Sequence, residues 1–285
     1  MLPAVRSDCH IPTQCSVFTD KTGTHVAQLE SNRKTKMTGS NEFKGLFPLG
    51  GMNNMTNFID VNAPKTGGTV REVAETRLMA SIRVADSPLI TEAIEYARKL
   101  YEPYLFNHAM RSWLFAARIG QMKSMDVDAE AVAVGTILHD IGLTAGVSGP
   151  NRFEVNGAAA AVSFAKERGV SNRRAQLIWD LVALNSTPSI ALHKETEVAL
   201  GTMGIGVDYG GFGLESIPSK EVAEILGAFP RLKMKDKFTE TCCRLVAAKP
   251  ETTSDNFLRD FGERFVPGYK PISTVDLLVN APFEE

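Results

Sequence analysis

His139 and Asp140 stand side by side at the end of an apolar helical run over 131–138. A neutral imidazole offers a nitrogen lone pair and a carboxylate a hard oxygen, so the two can share one divalent cation. Neighbours on a helix point about 100° apart and converge on one ion only where the helix ends. Gly142 is expected to supply that ending. A third ligand of the same chemistry precedes them: His108 opens the amphipathic stretch 109–119. A mixed nitrogen and oxygen site of this kind suits zinc, iron(II), manganese or cobalt. Arg111 lies one turn after His108 and shares its face. It is expected to pair with a carboxylate of the site, with an anionic substrate as the alternative. The competing reading of the three ligands is a set of buried polar groups satisfied by hydrogen bonds.

The elements that must position these residues read as helices. Pro88 starts one, capped by Ser87 or Asp86. The next runs from His108 to Lys123, and Asp128 caps the helix that ends at His139. A loop over 143–152 carries Gly146, Gly149 and Pro150. Helices are then expected over 153–168 and 172–185, a break at Ser186-Thr187-Pro188-Ser189, and a helix over 195–203. A Gly-rich segment around Asp208 follows it. Further helices are expected over 219–228, 231–248, 252–264 and 273–280. No alternating strand run of useful length stands out, so the expected fold class is all-α, without an internal repeat.

The chain has 285 residues, 44% apolar and 22% charged, with a formal net charge of -2. That is enough for a sizeable core. No basic face announces nucleic acid and no polybasic tract a membrane. No apolar run is long enough to span a bilayer, which makes a cytoplasmic protein the expectation. Cys9, Cys15, Cys242 and Cys243 read as reduced thiols. Residues 1–40, rich in Ser, Thr, Asn and Lys, read as a disordered tail, Cys9, His10, Cys15 and His25 included. Residues 41–70 carry Phe43, Leu46, Phe47 and Phe58 between Gly and Pro, and read as an irregular arm that packs on the domain or on a second subunit. The helical domain takes 71–285.

The motif residues resemble the HD-domain metal-dependent hydrolases, whose pattern is a His, an adjacent His-Asp and a distant Asp. Within that superfamily the likeness is to the cyanamide-hydratase-like branch. It rests on Tyr104-Leu105-Phe106-Asn107-His108-Ala109-Met110-Arg111 and Ile137-Leu138-His139-Asp140-Ile141-Gly142. Arg152-Phe153-Glu154-Val155-Asn156-Gly157-Ala158, Ala228-Phe229-Pro230-Arg231 and the tail from Lys249-Pro250-Glu251 to Val266-Pro267-Gly268 add to it. It covers roughly 75–283. The resemblance implies an HD-domain helical bundle around a central metal site, with Asp208 as fourth ligand beside His108, His139 and Asp140. Asp208 follows a Gly-rich stretch that would let the backbone pass close to an ion. Glu154 would sit beside the site and move a proton; its alternative role is the first-turn acid of a helix. Asn185 is a departure, because relatives are expected to have His there. An amide is a poor ligand and no base near pH 7, so one metal is expected rather than two. His193 is a further candidate near the pocket, with a surface loop as its alternative.

These residues lead to one expectation: a metal-dependent hydratase or hydrolase acting on a small molecule through metal-activated water. The cofactor is one divalent ion, zinc ahead of iron or manganese. The catalytic candidates are Glu154, Asn185, His193 and Arg111. A nitrile-like substrate such as cyanamide follows from the resemblance. The alternatives are a phosphohydrolase acting on a nucleotide or phosphate ester, and a non-catalytic metal-binding scaffold.

Overall fold

A computed structural model describes residues 75–283, together with two strands, Gln14–Thr19 (β1) and His25–Glu30 (β2). The expectations for the 41–70 arm, and for the rest of the first 40 residues, lie outside the described residues. The molecule is mostly helical, as its sequence suggested.

The expectation of no strands is corrected at two places. β1 and β2 pair antiparallel, with Val17 opposite Ala27 and Phe18 opposite Val26. Val and Phe favour extended backbone, and the Ser- and Thr-rich composition of the region masked them. Thr76–Met79 (β3) and Ile82–Ala85 (β4) form a second hairpin. Ala80 and Ser81 both take positive φ there, 46° and 64°. That twist matches two strands joined by a two-residue loop. Ile82 and Val84 are buried and Arg83 is exposed, the alternation of a half-buried strand.

The chain separates into two compact units, with the division at Leu232/Lys233. In the larger, Pro88–Leu100 (α1) begins at the Ser87 cap, whose side chain accepts from the Ile90 N–H. Pro103–Met122 (α2) starts five residues before His108, because Pro103 at its first turn is already set for a helix. Ala129–Leu138 (α3) starts at the Asp128 cap, and every residue from Ala131 to Leu138 is buried. A helix apolar on all sides belongs in a core, and α3 packs against α1, α2 and α5 (Asn172–Ala183). Phe153–Lys166 (α4) pairs with α5, and the one-turn Pro188–Ala191 (α6) follows.

Thr196–Gly210 (α7) makes the closest pair with α2. Here the expectation of a helix ending near Met203 is corrected, since α7 continues through the Gly-rich segment. Its glycines serve helix packing. A Cβ on Gly204 would stand 2.3 Å from the Ser112 carbonyl oxygen of α2, and one on Gly201 would stand 2.4 Å from Leu181 Cδ1 of α5. Ser219–Ala228 (α8) completes this unit. The smaller unit holds β1, β2, Met234–Ala248 (α9), Leu258–Phe265 (α10) and Thr274–Val279 (α11). Cys242 and Cys243 on α9 are buried.

Candidate metal centre

Three elements of the larger unit carry the site. α2 presents His108 and, a turn later, Arg111. α3 ends at Leu138, so His139 is its cap residue at φ -59°, and Asp140 leaves helical geometry at φ -103°, ψ 11°. That change of direction is what lets two sequence neighbours face one point. A short 3₁₀ turn over Ile141–Leu143 follows. Gly142 has a different part from the one expected of it. It lies within the turn, and a Cβ there would stand 1.9 Å from the Phe153 carbonyl oxygen, so its bareness lets the turn press against the start of α4.

His108 Nε2 and His139 Nε2 lie 3.2 Å apart. Asp140 Oδ2 is 3.2 Å from the second and 3.6 Å from the first. All three residues are buried, and their ligand atoms fall within 4.8 Å of one another, a spacing that one metal ion can bridge. The far nitrogens fix the tautomers. His139 Nδ1 is 2.7 Å from the Thr136 carbonyl oxygen, which can only accept, so Nδ1 carries the hydrogen. His108 Nδ1 is 2.6 Å from Asp208 Oδ2 and donates to it in the same way. Neutral rings held so turn both Nε2 lone pairs inward. Asp140 Oδ2 is buried there, facing the two Nε2 atoms. Three electron-rich atoms converging without hydrogens between them fit a cation.

Burial and neighbouring charges shift all three groups. Burial, helped by His139, pulls the His108 pKa down against the pull of Asp208. Burial also opposes a charge on His139, but Asp140 and the Thr136 carbonyl outweigh it and the His139 pKa is raised. For Asp140 the cost of burial is outweighed by His139, and its pKa is lowered.

Asp208 stands elsewhere than the fourth-ligand position expected of it. Because α7 runs on as a helix beside α2, its carboxylate meets the outer edge of His108 instead of the inward-facing Nε2. Arg111 grips it with two bonds, Nε to Oδ1 at 2.6 Å and Nη2 to Oδ2 at 2.8 Å. Burial works against the Asp208 charge, yet His108 and Arg111 hold its pKa far below the usual carboxylate range. Arg111, fully buried, also donates from Nη1 to the Phe229 carbonyl at 2.9 Å. The expected pairing of Arg111 with a carboxylate of the site is what the structure shows.

Arg231 was not among the expected site residues, though its segment contributed to the resemblance. It donates to the Asp208 carbonyl at 3.0 Å and to Oδ1 at 3.2 Å. A single Arg after Phe229-Pro230 carries no signal in sequence of an approach to Asp208.

The remaining candidates divide. Asn185 is next to the site but is turned to its backbone: Nδ2 donates to the His139 carbonyl at 2.7 Å and the Val182 carbonyl at 2.9 Å. Glu154 is buried, and its carboxylate accepts from Arg152 at 2.9 Å and from the Ser186 hydroxyl. This bond ties the turn after α5 to the start of α4. The placing of His193 as a catalytic group is corrected. It lies exposed in the turn after α6, beside the exposed Lys194, whose ammonium is drawn to Asp180 at 2.8 Å. Among the described residues the metal-spaced group is His108, His139 and Asp140, without His193 or Asp208.

A scan against protein-family models and a search of the curated proteins both found no match. No helix among the described residues is long and apolar enough to cross a membrane.

Proposed function

We propose that this chain is a metal-dependent hydratase or hydrolase of the HD-domain kind, acting on a small molecule. The observation that carries the reading is the convergence of His108 Nε2, His139 Nε2 and Asp140 Oδ2, three buried ligand atoms within 4.8 Å of one another. These three would hold one divalent ion, zinc before iron or manganese, since two imidazoles and a carboxylate suit it. When bound, such an ion supplies a water of lowered pKa as nucleophile near neutral pH.

The chain's own residues prepare that chemistry. Asp208 fixes the tautomer and direction of His108, and Arg111 and Arg231 fix Asp208. A carboxylate behind a ligating imidazole raises its basicity and holds its angle. The Thr136 carbonyl does the same for His139. Asn185 pins the His139 carbonyl, and Glu154 with Ser186 steadies the turn that carries Asn185.

Arg111 and Arg152 are engaged by Asp208 and Glu154. Cationic groups so committed favour a neutral substrate over a phosphate ester, and the sequence resemblance points to a nitrile-like group such as that of cyanamide. Water adds across the carbon–nitrogen triple bond, its oxygen to carbon and its two protons in turn to nitrogen, and cyanamide becomes urea.

The test pairs metal content by mass spectrometry with turnover of cyanamide, nitriles, isocyanides and phosphate esters. About one ion per chain and urea from cyanamide are expected. Turnover of phosphate esters alone would favour phosphohydrolysis, and bound metal without any turnover would favour a scaffold. A protein that takes up no zinc, iron or manganese overturns the reading.

A further inference from the structure

A cleft of about 560 Å³ lies between α1, α4 and the loop that follows the Asp140 turn. That volume falls within the range usual for small-molecule sites, roughly 300–1,000 Å³. Asn156, Ala159, Ala160, Ser163 and Glu167 of α4 form one wall, at the three- and four-residue steps of a single helix face. The loop contributes residues 146–150 and α1 contributes Tyr96. None of His108, His139, Asp140 and Asp208 lines it.

The aromatic part of the lining is Tyr96 with Phe164. Their rings stack with centroids 5.1 Å apart and planes within 13°. Phe164 is buried, covered by Tyr96 and by the Arg168 guanidinium 3.7 Å from its ring centroid. Tyr96 is the half-buried ring of the pair and lines the cleft. A flat ring is the ligand shape that extends such a stack, and stacking on an aromatic side chain is a source of affinity open to every nucleobase.

The polar atoms select further. Among the described residues, the charged side chains of the lining are Glu167 and Arg168. Arg168 is engaged, Nε donating to Glu92 at 2.6 Å and Nη1 to the Phe164 carbonyl at 2.9 Å. Glu167 is an exposed carboxylate that accepts the Ser163 hydroxyl at 3.0 Å and keeps further lone pairs. Ser163, its hydrogen so used, can only accept. Asn156 gives an amide hydrogen to the Asn151 carbonyl at 2.8 Å, which leaves its amide oxygen as an acceptor. These three side chains all present acceptors, and the Glu167 charge repels an anion. The ligand that matches them is flat, carries N–H donors and bears no negative charge.

We propose that this cleft binds an amino-substituted heteroaromatic ring, an aminopurine as free base or nucleoside, and discriminates against its phosphate. The inference does not rest on the metal centre, whose residues it does not touch.

Adenosine is the probe, titrated calorimetrically into the full chain. Saturable binding is expected, tighter than that of adenosine monophosphate and tighter than that of purine riboside, which lacks the amine. Tyr96→Ala removes the stacking ring and should weaken adenosine about ten- to a hundredfold, while Tyr96→Phe keeps the ring and most of the affinity. Ala159→Trp, at an exposed position of the wall, fills the cleft and should abolish binding with the melting temperature unchanged. It separates a lost site from a folding defect in Tyr96→Ala. Adenosine that does not bind wild type overturns the proposal, and so does adenosine held as tightly by Ala159→Trp as by wild type. Adenosine monophosphate held more tightly than adenosine overturns the ligand class. Wild-type protein that takes up no zinc yet binds adenosine in this pattern overturns the metal centre and leaves the cleft standing.

Discussion

His108 and His139 bring their Nε2 atoms to 3.2 Å while each gives its Nδ1 hydrogen to an oxygen on the opposite edge of its ring. Two neutral rings so held cannot bond to each other, because neither has a hydrogen on the facing nitrogen. The contact is relieved by a proton or by a cation, and Asp140 and the Thr136 carbonyl, outweighing burial, shift His139 toward holding a proton.

Metal and proton should therefore compete. His139 keeps its proton to a pH above the usual histidine value of about 6.5, so metal affinity should rise with pH through and beyond that value. In metal-free protein the same shift contributes stability that is full below about pH 6.5 and fades as pH rises through the folded value. His108, whose pKa is lowered, works in the opposite sense. Calorimetry of zinc uptake in buffers of different ionisation heat should find proton release that shrinks as pH rises through the folded His139 value. Zinc affinity that stays flat between about pH 5.5 and pH 8 would contradict the competition.

The Asp208–Arg111 pair should dominate the acid response of the larger unit. Both side chains are buried, and removing one partner of such a pair typically costs about 3–5 kcal/mol. Asp208→Asn should melt lower by roughly 10 °C. The folded pKa of Asp208 is depressed, so its contribution is complete above the unfolded carboxylate value of about 4 and declines as pH falls below it. Urea midpoints measured downward from about pH 4 should fall more steeply for wild type than for Asp208→Asn. Parallel curves would mean that Asp208 is not the group responsible.

The metal-spaced trio was legible in the sequence because its chemistry is local. His139 and Asp140 are adjacent, a helix visibly ends there, and His108 opens an amphipathic run. The caps Ser87 and Asp128 were legible for the same reason. What depended on packing between helices was not. Gly204 looked like the start of a Gly-rich loop beyond the helix that held Gly201, yet the three-residue spacing of the two is that of one helix face, and only the neighbours Leu181 and Ser112 decide between the two readings. With α7 unbroken, Asp208 came to the outer edge of His108. Arg231 reaches Asp208 across 23 residues, a closure that no local pattern records.

Gly204→Ala tests that packing. The new methyl would meet the Ser112 carbonyl oxygen at 2.3 Å and Ala116 Cβ at 2.6 Å, and one of these is backbone that cannot rotate away. Forcing α2 and α7 apart should cost about 1–3 kcal/mol, even after the better helix propensity of Ala. Metal affinity should fall as well, because Ser112 lies one turn from His108 on α2. Gly227→Ala in α8 is the contrast: nothing lies within 4 Å of its added Cβ, and it should gain about 0.5–1 kcal/mol. Equal denaturation midpoints for the two variants would refute the packing role of Gly204.

Asn185 decides between one metal and two. Its amide nitrogen reaches two carbonyls, those of His139 and Val182, and so clips the end of α5 to the residue that bears a ligand. A neutral imidazole in its place has a single N–H and can serve only one of them. Asn185→Ala should keep the metal while losing about 1–3 kcal/mol of stability from two hydrogen bonds. Its metal affinity should weaken only modestly, since no ligand atom is removed. Asn185→His should fall between wild type and Asn185→Ala in stability, and its metal content should show whether an added imidazole recruits a second ion. The measurement is metal stoichiometry and melting temperature for all three proteins, side by side. Two ions per chain in wild type would sink the single-ion assignment, because the structure offers one metal-spaced group among the described residues and Asn185 contributes no ligand to it.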